Sequence, residues 1–190
     1  MQQAVEALGS DQAMTLISVP TPDTTSRTLA RERIRVALQE TLAFYLGQPA
    51  RSITLVSRPG QAIGLDGPHA HLQLSLSHMP AISVAAIRRC GAVGVDVMQF
   101  DPSAEKMPDW ARVALDYLGP VVTDLLQRAP ATQRPAAFAQ AWTGLEACLK
   151  CLGLALTEWT PALAQQLATC RVRPLALPAN YRGAVASKMS

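Results

Sequence analysis

The spacing of apolar side chains predicts a mixture of helices and strands. Apolar residues recur every three or four positions from 27 to 46 and again from about 135 to 152, which predicts two amphipathic helices. Residues 72–77 alternate strictly between apolar and polar side chains, as is typical of a half-buried strand that ends before His78 and Pro80. Further strands are predicted at the shorter apolar runs 14–19, 82–87, 93–97, 171–173 and 181–186. Because the three strands between 72 and 97 are joined by short links, they favour an antiparallel meander.

The segment 99–135 differs from its surroundings. Proline residues interrupt it repeatedly, and only short helical pieces are predicted, at 110–118 and 121–127. It is typical of a crossover between two halves. The element order therefore predicts an α+β fold, with an N-terminal half over residues 1–97 and a C-terminal half over 98–190.

Composition argues against three classes of protein: disordered chains, membrane-spanning proteins and nucleic-acid binders. Hydrophobic residues make up 49% and charged residues 16% of the 190 residues, the opposite of a disordered chain. No apolar run is long enough to cross a bilayer, and the first residues lack the basic stretch of a secretory signal, so a cytoplasmic protein without a membrane segment is expected. A net charge of +3 and few aromatic residues argue against a nucleic-acid binder that would use the arginines between Arg27 and Arg35.

Four cysteines are too few to build a fold of this length from disulfides. Cys148 and Cys151 form a C-x-x-C pair inside the second predicted helix. Such a pair is compatible with redox chemistry or zinc, but no second pair follows at finger spacing. Reduced thiols that pack in the interior are the competing interpretation.

The second helix also carries the sharpest local pattern of polar residues. Trp142, Glu146 and Lys150 follow one another at intervals of four and so lie on one face. They are compatible with an exposed Glu–Lys pair of little energetic weight. Asp96 supports another interpretation, because a carboxylate at the end of a valine-rich strand is costly unless it has a partner. Asp96 and Glu146 could converge on Mg²⁺ bound to ligand phosphates, with Lys150 facing the same phosphates.

A second group of candidates lies earlier in the chain. Arg27, Arg31 and Arg35 share one face of the first helix. They form either a solvated surface balanced by acidic residues or an anion site, since arginine suits bidentate contact with phosphate. His78 is either a candidate for the same site or an ordinary capping or core histidine.

Three motifs, in this order, resemble those of the 4′-phosphopantetheinyl transferases. They are Leu-Ser-Leu-Ser-His at 74–78, Gly-Val-Asp-Val at 94–97 and Trp-Thr-Gly-Leu-Glu-Ala-Cys-Leu-Lys at 142–150. The residues at 27–29 and 181–186 are similar to the family's first helix and closing strand. The similarity is to the monomeric, surfactin-synthetase-activating type, and each motif is weak without the others.

The resemblance implies two similar α+β halves related by a pseudo-twofold, with coenzyme A between them. Asp96 and Glu146 would bind Mg²⁺, Glu146 and Lys150 would be catalytic, and Arg27 and His78 would bind the phosphates of coenzyme A. A monomeric cytoplasmic enzyme would move the phosphopantetheine arm to a serine of an apo acyl or peptidyl carrier protein. The composition of residues 101–135, rich in valine, leucine and proline, makes them the candidate docking surface. No nucleic acid or membrane is expected as a partner.

Three departures from the family pattern support a different function on the same scaffold. Met98 replaces the second strand carboxylate, Leu145 replaces a lysine, and Gln61 replaces the lysine of a Gly-Lys-Pro loop. A methionine cannot serve as an oxygen ligand for Mg²⁺. The alternative is therefore a weak or inactive transferase-like protein that binds coenzyme A or a carrier protein in a regulatory role.

Overall fold

The computed structural model of the protein describes residues 4–7, 14–22, 25–57, 62–101 and 109–188. The N-terminal elements are β1 (Ala4–Ala7), β2 (Met14–Pro20), α1 (Arg27–Leu46), β3 (Leu55–Val56), β4 (Gly64–Leu65), β5 (Gln73–Met79), β6 (Ile82–Arg88) and β7 (Val93–Gln99). The later elements are α2 (Trp110–Val113) with a following π-helical turn (Ala114–Leu118), α3 (Gly119–Arg128), α4 (Arg134–Leu152), α5 (Pro161–Leu167), β8 (Cys170–Pro174) and β9 (Tyr181–Lys188). This mixture of helix and strand agrees with the predicted α+β class.

The two long helices lie where the periodicity predicts them. Helix α1 begins after Ser26, whose side chain accepts a hydrogen bond from the Leu29 N–H, and it ends at Gly47 in the left-handed conformation. Helix α4 ends in the same way at Gly153. The short helix α5 was not predicted, because it has seven residues and buries only Leu163. None of the described helices is long and apolar enough to cross a membrane.

Two main sheets form, and the strand β7 corrects the predicted meander. The first sheet has the order β1-β2-β6-β5 and the second has the order β7-β9-β8, with antiparallel neighbours throughout. Strands β5 and β6 pair as expected, but β7 pairs with β9, which is distant in sequence, and not with β6. The prediction of three consecutive paired strands was therefore wrong. The proposed boundary at residue 97 lies within β7, and the division into halves stays a prediction.

The core is layered. Helix α1 covers one face of the first sheet, where Ile34 and Leu38 of the helix belong to the same buried cluster as Ile17 of β2. The other face packs against the second sheet, where Val95 and Val185 are almost completely buried. Helix α4 packs on β7 and β9 from the far side. The order of layers is thus α1, first sheet, second sheet, α4, with one helix outside each sheet. The pseudo-twofold itself stays a prediction.

Two serine side chains join the sheets. The Ser75 hydroxyl accepts a hydrogen bond from the Val95 N–H at 3.0 Å, and the Ser77 hydroxyl accepts one from the Val97 N–H at 3.3 Å. Both contacts advance by two residues in the same direction, so β5 and β7 run parallel at this junction. The expectation that β5 is half buried was wrong, because its polar face is covered by β7, and the strand continues through His78 to Met79.

Candidate functional site

Close contact between β7 and α4 creates the site. Gly94 of β7 lies so near the helix that a Cβ there would be 2.0 Å from the Ala147 carbonyl oxygen and 2.5 Å from the Cys151 nitrogen. Only glycine permits this approach. Asp96 is the next residue of β7 on the side that faces the helix, so it lies beside the last turns of α4.

Asp96 and Lys150 meet at this contact. The Lys150 ammonium donates hydrogen bonds to the Asp96 Oδ1 atom at 2.7 Å and to the Val95 carbonyl oxygen at 3.1 Å. The Ser77 hydroxyl donates to the same Oδ1 atom at 2.8 Å. Asp96 is only 8% exposed, so these donors take the place of water around a buried carboxylate. Lys150 therefore has its ion pair across the fold with Asp96, and the exposed Glu146–Lys150 pair was the wrong alternative.

Glu146 lies in the same electrostatic neighbourhood. Burial, and then the negative charge of Asp96, raise the pKa of Glu146 above its ordinary value. The Lys150 charge and a side-chain hydrogen bond with Trp142 act in the opposite direction. Two carboxylates, one from each predicted half, therefore repel each other electrostatically at this site.

His78 contacts Arg31 and lies close enough to Arg27 and to this pair to be affected by their charges. The Arg31 Nε atom donates to the His78 Nε2 atom at 3.0 Å, while the buried His78 Nδ1 atom has no partner among the described residues. Burial first, then the charges of Arg31, Arg27 and Lys150, lower the pKa of His78, and Asp96 partly opposes them. The charges of Arg27, Lys150 and Asp96 thus act on one histidine.

The third arginine of the α1 face has a different place. Arg35 donates to the Ser57 hydroxyl at 2.8 Å and to the Leu55 carbonyl oxygen at 3.2 Å. It therefore holds strand β3 against the helix, while Arg31 contacts His78. The common helix face does not give the three arginines a common role.

Met98 and Leu145 have apolar surroundings. Met98 packs at the edge of an apolar cluster that includes Leu145, Phe138 and Trp142, and Leu145 is buried within it. Gln61 lies outside the described residues. Met98 and Leu145 thus extend the apolar core of the C-terminal helices.

Asp96 and Glu146 are the two carboxylates that the sequence predicts as magnesium ligands, and the charge of one acts on the other. Among the described residues there is no group of three or more histidine, cysteine or acidic side chains that could hold a metal. Mg²⁺ commonly takes one or two carboxylates and completes its shell with water and substrate phosphates. Asp96 and Glu146 would supply the two carboxylates of such a site, and the ligand and water the remaining donors.

The thiols of α4 have no place in this site. Cys148 and Cys151 are buried and free, and burial is the main cause that raises the pKa of each to about 12. The neighbouring Cys170 adds to both shifts. Such thiols remain protonated and unreactive, as expected of packing residues.

Comparison with known proteins bears on the same region. Residues 92–180, slightly less than half of the chain, match the family model ACPS, the 4′-phosphopantetheinyl transferase superfamily. The matched segment contains Asp96, Glu146 and Lys150, whereas Arg27 and His78 precede it. No curated protein gave a significant match to the chain. The match supports a transferase-like domain and phosphopantetheine transfer in general.

Sequence reasoning missed the part that Ser77 takes in the site. From the sequence, Ser77 was predicted only as part of a motif on the polar face of a half-buried strand, and its hydrogen bond to Asp96 was not expected. The available signal was the pair of serines at 75 and 77, alternating with leucines on a strand that contains few other polar residues.

Proposed function

We propose that the protein transfers the 4′-phosphopantetheine arm of coenzyme A to a serine of an apo acyl or peptidyl carrier protein in a magnesium-dependent reaction. The observation that carries the proposal is the 2.7 Å contact between Asp96 of β7 and Lys150 of α4, with Glu146 in the same field. The superfamily match over these elements supports it.

Asp96 and Glu146 are the residues proposed to hold the ion. Magnesium bound there would neutralise charge on the pyrophosphate of coenzyme A. The raised pKa of Glu146 supports this assignment, because a nearby cation relieves the repulsion between two carboxylates. Lys150 donates to the Asp96 Oδ1 atom and to the Val95 carbonyl oxygen, and the third donor of its ammonium would be directed to the same phosphates.

Glu146 and Lys150 are the proposed catalytic residues. The serine oxygen forms a bond to the phosphorus nearest the pantetheine arm, the phosphoanhydride bond breaks, and 3′,5′-ADP leaves. Glu146 accepts the serine proton. Lys150 stabilises the negative charge on the leaving oxygen.

Arg27 and His78 are proposed to bind coenzyme A phosphates. The positive charges of Arg31 and Arg27 act on the imidazole and lower its pKa. A phosphate placed among these groups would reverse that effect and favour the protonated ring, since opposite charges stabilise each other. The pair therefore suits a dianionic phosphate.

Part of the segment 101–135 offers a surface for the carrier protein. Residues 102–108 lie outside the described residues, but Leu115, Val121 and Leu125 are 51%, 74% and 62% exposed. Arg112 and Arg128 lie on the same elements, each paired with an aspartate one turn away. Exposed apolar side chains on these helices would suit a helical partner that covers them. In this proposal the enzyme is a cytoplasmic monomer.

A carrier mass assay tests the function. The protein is incubated with coenzyme A, magnesium and a panel of apo carrier proteins, and the carrier mass is measured. We expect a gain of one phosphopantetheine that is lost in Asp96→Ala and in Glu146→Ala. The matched control is Glu40→Ala, which removes an exposed carboxylate of α1 outside both the site and the proposed docking surface.

The surroundings of Met98 favour a second candidate function. Because its side chain packs in an apolar cluster, it supplies no oxygen ligand. The protein would then bind coenzyme A or a carrier protein in a regulatory role with little transfer. Coenzyme A binding by calorimetry without any gain of carrier mass would support this candidate against the first.

A further inference from the structure

The hydroxyl of Ser77 has a fixed orientation. Its oxygen accepts the Val97 N–H, and its proton is donated to the Asp96 Oδ1 atom at 2.8 Å. Ser77 and Asp96 are 7% and 8% exposed. Water therefore competes little for this hydrogen bond, and one hydroxyl connects the backbone of β7 with the carboxylate that the same strand carries.

Both donors to Asp96 contact the same oxygen atom. The Lys150 ammonium reaches Oδ1 at 2.7 Å, beside the Ser77 hydroxyl. No hydrogen bond from a described residue goes to Oδ2. A carboxylate held by two donors through one oxygen keeps the lone pairs of the other oxygen for a ligand.

We propose that Ser77 is a positioning residue for the transfer reaction. It holds Asp96 through Oδ1 and so leaves Oδ2 as the oxygen that binds the divalent cation of the coenzyme A complex. This inference rests on the proposed function. Its competitor is a purely structural role, in which the Ser77 hydroxyl only satisfies the Val97 N–H at the junction of the two sheets.

Ser75 provides a matched control for the structural role. It is 5% exposed, lies on the same face of β5, and accepts the Val95 N–H at 3.0 Å. It has no hydrogen bond to Asp96. Ser75→Ala and Ser77→Ala therefore each remove one buried acceptor at the junction, but only Ser77→Ala removes the donor to Asp96.

The experiment measures coenzyme A binding by calorimetry with and without magnesium. Magnesium should increase the affinity for coenzyme A about tenfold less in Ser77→Ala than in the unaltered protein, because one charge-assisted hydrogen bond is lost. In Ser75→Ala the increase should be unchanged. In the carrier assay, Ser77→Ala should need about tenfold more magnesium at an unchanged carrier KM, and Ser77→Thr should restore the requirement. If Ser77→Ala does not fold, Ser77→Cys replaces it, because a thiol is only a weak donor.

The possible outcomes separate the two proposals. If magnesium strengthens coenzyme A binding equally in the unaltered protein and in Ser77→Ala, the positioning role is overturned and the proposed function stands. If Ser75→Ala and Ser77→Ala lose the magnesium-dependent gain in coenzyme A affinity equally, the positioning role is also overturned. The purely structural role at the junction of the two sheets then explains the result. If magnesium affects neither binding nor transfer in the unaltered protein, the proposed function fails, and the positioning role fails with it.

Discussion

Replacement of Gly94 by alanine should force α4 away from β7. The added Cβ would lie 2.0 Å from the Ala147 carbonyl oxygen and 2.5 Å from the Cys151 nitrogen, and both are backbone atoms that cannot rotate aside. Relief needs a shift of about 1 Å between strand and helix, and overpacking of this kind costs up to about 3 kcal/mol. For a chain of this length, that cost lowers Tm by roughly 6–12 °C.

The same variant should also disturb the site, because α4 carries Lys150. Its ammonium is 3.1 Å from the Val95 carbonyl oxygen and 2.7 Å from Asp96, and a displaced helix lengthens both contacts. We therefore expect weaker coenzyme A binding together with the lower Tm. Urea unfolding, differential scanning calorimetry and binding calorimetry measure these effects.

Gly144→Ala is the control for Gly94→Ala. Gly144 lies within α4, and the nearest atom to an added Cβ is the Val172 Cγ1 at 3.8 Å, an ordinary contact. Alanine is favoured over glycine in a helix by about 1 kcal/mol, so this variant should be slightly more stable. A Gly94→Ala protein that melts within about 1 °C of the unaltered chain would refute the steric argument.

Three further predictions concern titratable groups. Burial and the charge of Asp96 raise the pKa of Glu146 above 4.5, so the folded state holds this proton more tightly than the unfolded chain. Stability contributed by Glu146 is then lost as pH rises through the raised pKa, and Glu146→Gln should gain in urea resistance relative to the unaltered protein as pH rises above 4.5. Arg31→Met should raise the pKa of His78 in an NMR titration, because a neighbouring positive charge is removed. Iodoacetamide should label the exposed Cys90 in the folded protein and spare Cys148, whose pKa is raised to about 12, as read by peptide mass spectrometry.

Each of these predictions has a control. Glu40→Gln makes the same replacement at an exposed carboxyl of α1 and is the control for Glu146→Gln. Arg35→Met removes an arginine that contacts Ser57 and Leu55, so His78 should titrate as before. In urea, Cys148 should be labelled as fast as Cys90. The Glu146 prediction is contradicted if the difference in urea resistance between Glu146→Gln and the unaltered protein does not change with pH. The His78 prediction is contradicted if its titration is unchanged in Arg31→Met. The Cys148 prediction is contradicted if iodoacetamide labels this thiol rapidly in the folded state.

Local patterns were enough to predict most elements. The bounds of α1 agree with the prediction because a serine cap and a terminal glycine flank a long periodic segment. The run of valines at 93, 95 and 97 predicts β7, but its partner is β9, far along the chain. Short elements such as α5 escaped prediction because seven residues hold too few apolar positions to define a period.

The sequence by itself determined which residues could do chemistry, namely a strand aspartate and a helix with glutamate and lysine in fixed order. Only the tertiary structure decided that Lys150 pairs with Asp96 and not with Glu146, and that Ser77 donates to the same oxygen. The physical reason is that helix periodicity brings together residues within one element, whereas the approach of α4 to β7 depends on the absence of a side chain at Gly94. Contacts between elements arise from packing across the whole core, which no local pattern encodes.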